Sequence, residues 1–235
     1  AKFNDDVFQF SVGLNGVGTK AVNALSSFFK VVSYRENKCF EAEFSRGKLK
    51  HKLMNKKPGE PDGTYIEFEP DPEIFSDFEF NMEFIEKRLW NFVYLNSGLQ
   101  IIINNKKLIS KNGLLDFLSI EIGETAIYEI AHYKSKQMEF AFTHTATYGE
   151  NYFSFVNGHH TIDGGAHQSA FREGFFKGVN EFYKKDFNSI DVRDGIFGAF
   201  AIKLKNPVFE SQTKTKLGNA DIRGWVVNEV KSAVI

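Results

Sequence analysis

The sequence predicts an α+β fold in two successive domains. Three observations carry that reading. Short alternating runs recur through both halves, as half-buried strands require. In the first half they pair as tight hairpins rather than as strand–helix–strand crossovers. Between them stand a few segments with apolar residues at helical spacing, the clearest at 165–184.

Residues 7–12 (Val-Phe-Gln-Phe-Ser-Val) alternate as a short strand and lead into Gly13-Leu14-Asn15-Gly16-Val17-Gly18. Ala21, Leu25 and Phe28 then recur at helical spacing, which predicts a helix over 19–29. Strands are expected at 30–35 and 38–45, turned by Glu36-Asn37. The Lys-rich stretch 46–62, with Pro58, Gly59 and Pro61, reads as an exposed loop. Thr64 to Glu69 alternate as a strand that Pro70 and Pro72 end. Phe84, Leu89, Phe92 and Leu95 place a helix over 81–95, and Leu99–Ile103 a strand with Asn104-Asn105 as its turn.

Residues 106–115 read as the boundary of the second domain. It opens with a short helix near 113–119. Strands follow at 126–133, 137–145, 151–157 and 196–204. In the helix at 165–184, Phe171, Phe175, Val179 and Phe182 share one face, with Arg172, Lys177, Lys184 and Lys185 away from it. Residues 206–219 are a polar loop. Ile222, Val226, Val230 and Ala233 make the end, 220–235, a helix.

The 235 residues are 42% hydrophobic, enough to bury sizeable cores, and 26 of them are Phe. With 29 basic and 30 acidic residues, binding to nucleic acid by net charge alone is excluded, although a local basic face is not. Cys39 is the one cysteine, so no intrachain disulfide forms, which fits a reducing cytoplasm. Within the alternating run Lys38–Phe44 it reads as a buried strand residue rather than a reactive thiol. No apolar run approaches the roughly 20 residues that span a bilayer. The chain starts at Ala1 without Met and reads as a piece of a longer protein.

Three glycines in six residues ahead of a helix suit an anion. Glycine lets the backbone approach closely, and a helix N-terminus offers unpaired N–H donors. Alone the signal is weak, because a tight strand-to-helix turn needs similar residues. Gly16 to Ala21 also fits the dinucleotide-binding form, with Glu36 near the expected acidic position, but the strands around Glu36 read as a hairpin. Gly13 to Gly18 has the glycine spacing of a P-loop, yet Thr19-Lys20 reverses the required order.

Four segments, in order, carry a closer likeness. They are Gly13 through Ser26; Asp62-Gly63-Thr64 before a strand; Phe155-Val156-Asn157 through Asp163-Gly164-Gly165-Ala166-His167 with Phe171-Arg172; and Asn206 through Gly218 with Gln212-Thr213-Lys214. Together they resemble the ATPase subunits of bacterial type IIA DNA topoisomerases, gyrase and topoisomerase IV, across the whole chain. The resemblance implies that residues 1–105 are the C-terminal part of a GHKL ATP-binding domain, a partial sandwich of helices on a mixed sheet. It implies that residues 106–235 are a transducer domain like ribosomal protein S5 domain 2.

It also implies roles. Gly13, Leu14, Asn15, Gly16, Val17, Gly18 and Thr19 would wrap the triphosphate of ATP with backbone donors. Thr64 would help hold the adenine, and Arg35 would stand at the pocket mouth. Gln212 and Lys214 would reach the γ-phosphate, where a mobile cation senses that phosphate and stabilises its transfer. Plainer readings stand beside these: Arg35 as a solvated strand residue, Thr64 as a strand former, and Lys214-Thr215-Lys216 as an exposed loop. Asn15 replaces the family's frequent His, Ser11-Val12-Gly13 replaces a double glycine, and His159-His160 fall where the family varies.

In the family, the water-activating carboxylate, the asparagine that holds Mg and the adenine-reading aspartate precede the glycine lid, so this fragment alone is expected to be inactive. The implied partners are DNA, an A-type breakage-reunion subunit and a second copy in the full-length protein, with no membrane. The Ser-Val-Gly-Leu-Asn form and the Phe-Glu-Ser-Gln-Thr-Lys-Thr-Lys stretch lean toward topoisomerase IV. Two other functions compete: a DNA- or subunit-binding module using Arg172, Lys177, Lys184 and Lys185, and a nicotinamide-dependent oxidoreductase resting on Gly16–Ala21. No metal site is expected, although His144, His159, His160 and His167 fall within one short stretch.

Overall fold

The computed structural model describes Phe10 and residues 16–235. The strand expected at 7–12 and the site residues Gly13, Leu14 and Asn15 therefore lie outside the described residues, Phe10 apart. The rest is a mixed α+β fold in two compact units, residues 16–81 and residues 82–235.

The first unit opens with α1 (Val17–Ala24), followed almost directly by β1 (Ser26–Arg35). The expected helix over 19–29 thus ends early, and Phe28 is a strand residue. The run Ser-Ser-Phe-Phe-Lys-Val-Val pairs on both edges, with β2 (Lys38–Ser45) and with β4 (Gly63–Pro70), and that double ladder overrides the local helical spacing. Glu36 and Asn37 both have positive φ, 52° and 60°, as the turn of a two-residue hairpin requires. This hairpin follows α1 directly and removes the crossover that a dinucleotide-binding unit needs.

The second departure is β3 (Lys48–Lys56), where the lysines suggested a loop. It pairs with β2 as the outer strand in the order β3-β2-β1-β4, and every residue in it is exposed. Lys48, Lys50, Lys52 and Lys56 are the charges that keep an open edge from pairing with another chain. Charge and strand are compatible at an edge, and that combination conceals the strand.

The second unit begins with α2 (Met82–Leu95), the hairpin β5 (Gln100–Ile103) and β6 (Lys106–Ile109), and α3 (Leu114–Ile122). Asn104 and Asn105, at φ 45° and 65°, form the expected turn. Next come β7 (Ala131–Lys134), β8 (Met138–His144), β9 (Asn151–Val156) and β10 (His159–His160). Then follow α4 (Ala166–Tyr183), α5 (Ser189–Arg193), β11 (Ile196–Ile202) and, after a 3-10 turn at Ala220–Ile222, α6 (Arg223–Val234). The strand expected from 126 starts only at Ala131; before it, Ala126 makes a single bridge to Thr145.

The five strands run β10-β9-β11-β8-β7, with β9 and β11 parallel and the other pairs antiparallel. Helices cover both faces, and strand alternation assigns each residue its layer. Phe140, Val156, Phe200 and Ile202 meet Phe171 and Phe175 of α4 and Val226 and Val230 of α6. Their neighbours Ala141, Phe155 and Ala199 point the other way, onto Leu114, Phe117 and Leu118 of α3 and Tyr94 of α2. The phenylalanine-rich composition is therefore largely a two-sided core, and ring pairs such as Phe140–Phe171 at 5.4 Å and Phe117–Phe155 at 5.8 Å pack edge to face. Phe182 is the exception on its helix face, 56% exposed near the end of α4.

Helices α4 and α6 approach more closely than ordinary side chains allow. A Cβ on Gly174 would stand 2.7 Å from the Val227 carbonyl, and one on Gly178 would stand 2.9 Å from Val234 Cβ. Two glycines one turn apart make the groove that seats α6.

Candidate functional site

In the first unit, Gly16 caps α1 in the left-handed conformation, φ 63° and ψ 29°. Among the described residues, no heavy atom beyond the adjoining backbone lies within 4 Å of where a Cβ on Gly16 or Gly18 would stand. Gly16, Val17, Gly18 and Thr19 are exposed, and the first helical turn holds no acidic residue. Open space and the positive end of a helix dipole are the chemistry that an anion such as a triphosphate suits.

Arg35 and Thr64 lie at one end of the four-stranded sheet. Thr64 pairs with Ser33, and Gly63 with Tyr34. Arg35 is 80% exposed and meets Glu36 at 3.5 Å. Asp62 accepts a hydrogen bond at 2.9 Å from the Glu36 amide, so the Asp62-Gly63-Thr64 motif also holds the β1–β2 turn in place. The far end of the sheet carries the C-terminus of α1: the Gly47 amide donates to Asn23 and the Arg46 amide to Ser26. Among the described residues, nothing joins Gly16–Thr19 to Arg35 or Thr64.

In the second unit, Gln212 and Lys214 share one loop, 203–219, which is anything but unstructured. Phe209 and Leu217 bridge its base, the Gly218 amide donates to Val208, and Lys216 pairs with Glu210 at 3.0 Å. At the tip the Lys214 amide donates to the Ser211 carbonyl, and the Ser211 and Thr213 hydroxyls meet at 2.7 Å. Lys214 itself has φ 59°, unusual for a residue with a side chain. It is half-buried and makes no ion pair among the described residues. Gln212 is exposed.

The Asp163-Gly164-Gly165-Ala166-His167 motif is the seat of this loop. The Asp163 amide donates to Thr215, the Ala166 amide to Leu217, and the Leu217 amide to the Gly164 carbonyl. Gly165, at φ 131°, leaves no room for a side chain: a Cβ would stand 2.5 Å from the Leu217 amide nitrogen. Two motifs more than forty residues apart in sequence are thus one structural device. Their pairing was not legible from either alone, since a glycine pair announces a turn but not what lies across it.

His167 is fully buried, with Nε2 3.1 Å from the Thr161 hydroxyl, and burial holds its imidazole down at about 3. Burial also holds His159 and His160 below the ordinary histidine range. A histidine whose folded pKa is depressed favours folding above its unfolded value of about 6.5 and loses that contribution as the pH falls below it. Stability to urea should therefore fall between pH 7.5 and pH 5. His167→Gln should flatten that fall; a midpoint that rises on acidification would contradict the sign. Among the described residues, no three His, Cys, Asp or Glu side chains converge as a metal site, and no helix is long and apolar enough to cross a membrane.

The basic face expected on α4 is largely spoken for. Arg172 holds Glu150 through two hydrogen bonds of 2.8 and 2.6 Å and is half-buried. Lys177 pairs with Glu173 at 2.6 Å. Lys184 closes the helix at φ 53°, and Lys185 lies 5.9 Å from the Phe187 ring. An Arg172 locked to a carboxylate is a poor phosphate ligand, which weakens the DNA-module reading.

The four-stranded sheet with its exposed helix start and the α/β unit with its braced loop have the fold of known two-unit ATPase regions. The ATPase domain of Thermus thermophilus gyrase B, solved with an aminocoumarin, superposes with a TM-score of 0.75 at 29% identity, covering 93% of this chain and 69% of that one. The ATPase region of Saccharomyces cerevisiae topoisomerase II has a TM-score of 0.77 at 22% identity over 93% of this chain and 59% of its own, a likeness of fold alone. The family described as DNA gyrase B matches residues 103–235, more than half of the chain. The chain belongs to the DNA gyrase B family. The B-type subunit of DNA topoisomerase 4 from Borreliella burgdorferi is 54% identical over all of this chain and 39% of its own length. The B-type subunit of DNA gyrase from Thermotoga maritima is 34% identical over 98% of this chain and 40% of its own. The chain thus spans about two fifths of the curated relatives it matches.

Proposed function

We propose that this chain is the ATP-binding and energy-transducing part of a type IIA topoisomerase subunit, within an enzyme that passes one DNA duplex through another. Residues 1–105 are the later part of the GHKL domain and residues 106–235 the transducer. The observation that carries this reading is the braced Lys214 loop seated on Gly164-Gly165, inside the family-matched region. The lid residues Gly13 to Thr19 bind phosphate through backbone donors. Thr64 helps hold the adenine, Arg35 stands at the pocket mouth, and Gln212 and Lys214 read the terminal phosphate. ATP would be the substrate whose terminal phosphoryl group Gln212 and Lys214 contact, and Mg bound with it would neutralise phosphate charge. DNA, an A-type subunit and a second copy complete the assembly.

The 54% identity to a topoisomerase 4 subunit supports topoisomerase IV over gyrase. The full-length subunit, combined with its A-type partner, should unlink catenated circles and relax supercoils when ATP is present. It should not introduce negative supercoils. ATP-dependent negative supercoiling would assign it to gyrase instead, and no ATP-dependent strand passage at all would reject the proposal.

A further inference from the structure

The loop that carries Lys214 rests on a second platform besides the glycine pair, and that platform is the β9–β10 hairpin. Asn157 and Gly158, at φ 50° and 80°, form its two-residue turn, the arrangement that Asn-Gly favours. The Asn157 side chain clamps the start of the loop: its amide donates to the Leu204 carbonyl and its oxygen accepts from the Leu204 amide, each at 2.7 Å. The hairpin register then sets His159 opposite Val156 and His160 opposite Phe155.

Successive strand residues point to opposite faces, and the two histidines do so here. The His160 ring lies 4.9 Å from Phe155, on the α2 and α3 side of the sheet. The His159 ring meets Phe209, at the base of the loop, edge to face at 6.2 Å. Its imidazole also faces the Thr213 main chain at the tip, which favours its proton. His159 therefore touches the loop at both its base and its tip, next to the residue held at φ 59°. An unusual backbone conformation persists only where surrounding contacts over-determine it.

We infer that His159 is a positioning residue for Lys214, holding the 209–214 segment in the one conformation that presents the lysine. This rests on the proposed role of Lys214 and deepens it. The charged and titratable groups that bear on the ring are Arg88 of α2, Lys214 of the loop and His160 beside it, with Lys87 acting on His160. Arg88 and Lys214 oppose a positive charge on the ring. The working form is the neutral imidazole, set beside the Thr213 main chain. Protonation sets a third cation beside two others and pushes the tip away.

The test uses the full-length subunit with its A-type partner, ATP as ligand, and steady-state hydrolysis as readout. His159→Ala should lower kcat about tenfold with little change in KM, since displacing a group that acts in the transition state costs rate rather than binding. His159→Gln keeps a donor for Thr213 and should restore much of the loss. It should also abolish the fall in kcat on acidification that is expected of the native enzyme below the ordinary histidine range. Combined with Lys214→Ala, His159→Ala should cost nothing further, because both act through one group. If Lys214→Ala is inactive while His159→Ala keeps native kcat, or if the two losses multiply, the inference fails and the role of Lys214 stands. If Lys214→Ala is itself fully active, the functional proposal fails first. Should His159→Ala not fold, the acid limb of His159→Gln decides: an unchanged limb overturns the inference.

Discussion

Replacing Lys214 with alanine in the full-length subunit is expected to cut ATP hydrolysis by about 100-fold or more while leaving ATP binding nearly intact. The magnitude follows from what a single aligned charge contributes to a transition state in which the phosphoryl oxygens spread their charge, roughly 10²–10³ in rate. The split between rate and binding follows from the local structure. Lys214 is one group on a loop braced by Phe209–Leu217, Glu210–Lys216 and the Gly164-Gly165 seat. Truncating its side chain removes a charge without removing the brace, and the lid residues keep their own donors. Single-turnover hydrolysis and equilibrium nucleotide binding, measured on the same preparation, separate the two effects. An arginine in its place should recover little, because a planar fork cannot reproduce a point charge on a flexible stem. Native hydrolysis by the alanine variant would remove Lys214 from the chemistry.

The second large effect is expected far from any nucleotide. Gly174→Leu should destabilise the unit spanning residues 82–235 by about 1–3 kcal/mol or more, the usual cost of overpacking a close-packed contact. The reason is the backbone of α6, which lies where the new side chain would go: Val227 presents its carbonyl 2.7 Å from the added Cβ, and Val230 its Cβ at 2.9 Å. Even Gly174→Ala should destabilise, although alanine in a helix interior normally gains about 1 kcal/mol over glycine. Gly224, within α6, is the control, because a Cβ there meets nothing within 4 Å. Gly224→Ala should be neutral or stabilising. Thermal midpoints for the three variants check the ordering, and a Gly174→Leu midpoint equal to the native one would contradict the packing.

These glycines mark the limit of what the chain discloses by its pattern. Position 174 shows only a residue that weakens a helix; that it is a groove depends on α6, some fifty residues away, and no local period encodes it. Strands β2 and β8 were legible because each carries core residues within a short run, Cys39 and Ala42 in β2 and Met138, Phe140 and Ala141 in β8. Strand β3 was hidden because its lysines read as a loop, although charge is what an exposed edge strand carries. The start of β1 was hidden because Leu25 and Phe28 fall at helical spacing by chance, while the partners that make Ser26–Arg35 a strand lie in β2 and β4. For the proposed site, Gly16 to Thr19 and Gln212 to Lys214 stand out in the sequence as motifs. Their supports do not: Asp62 under the β1–β2 turn, Asn157 at Leu204, and Gly165 under Leu217 are all contacts between segments distant in sequence.

The most direct measurement is covalent. An acyl-phosphate derivative of ATP delivers its acyl group to whichever lysine amine stands beside the phosphate tail. Applied to the full-length subunit and read by peptide mass spectrometry, it should label Lys214 above every other lysine, and excess ATP should suppress the label. Modification confined to other lysines, with Lys214 untouched in a subunit that binds ATP, would contradict the assignment of this chain as a nucleotide-sensing transducer.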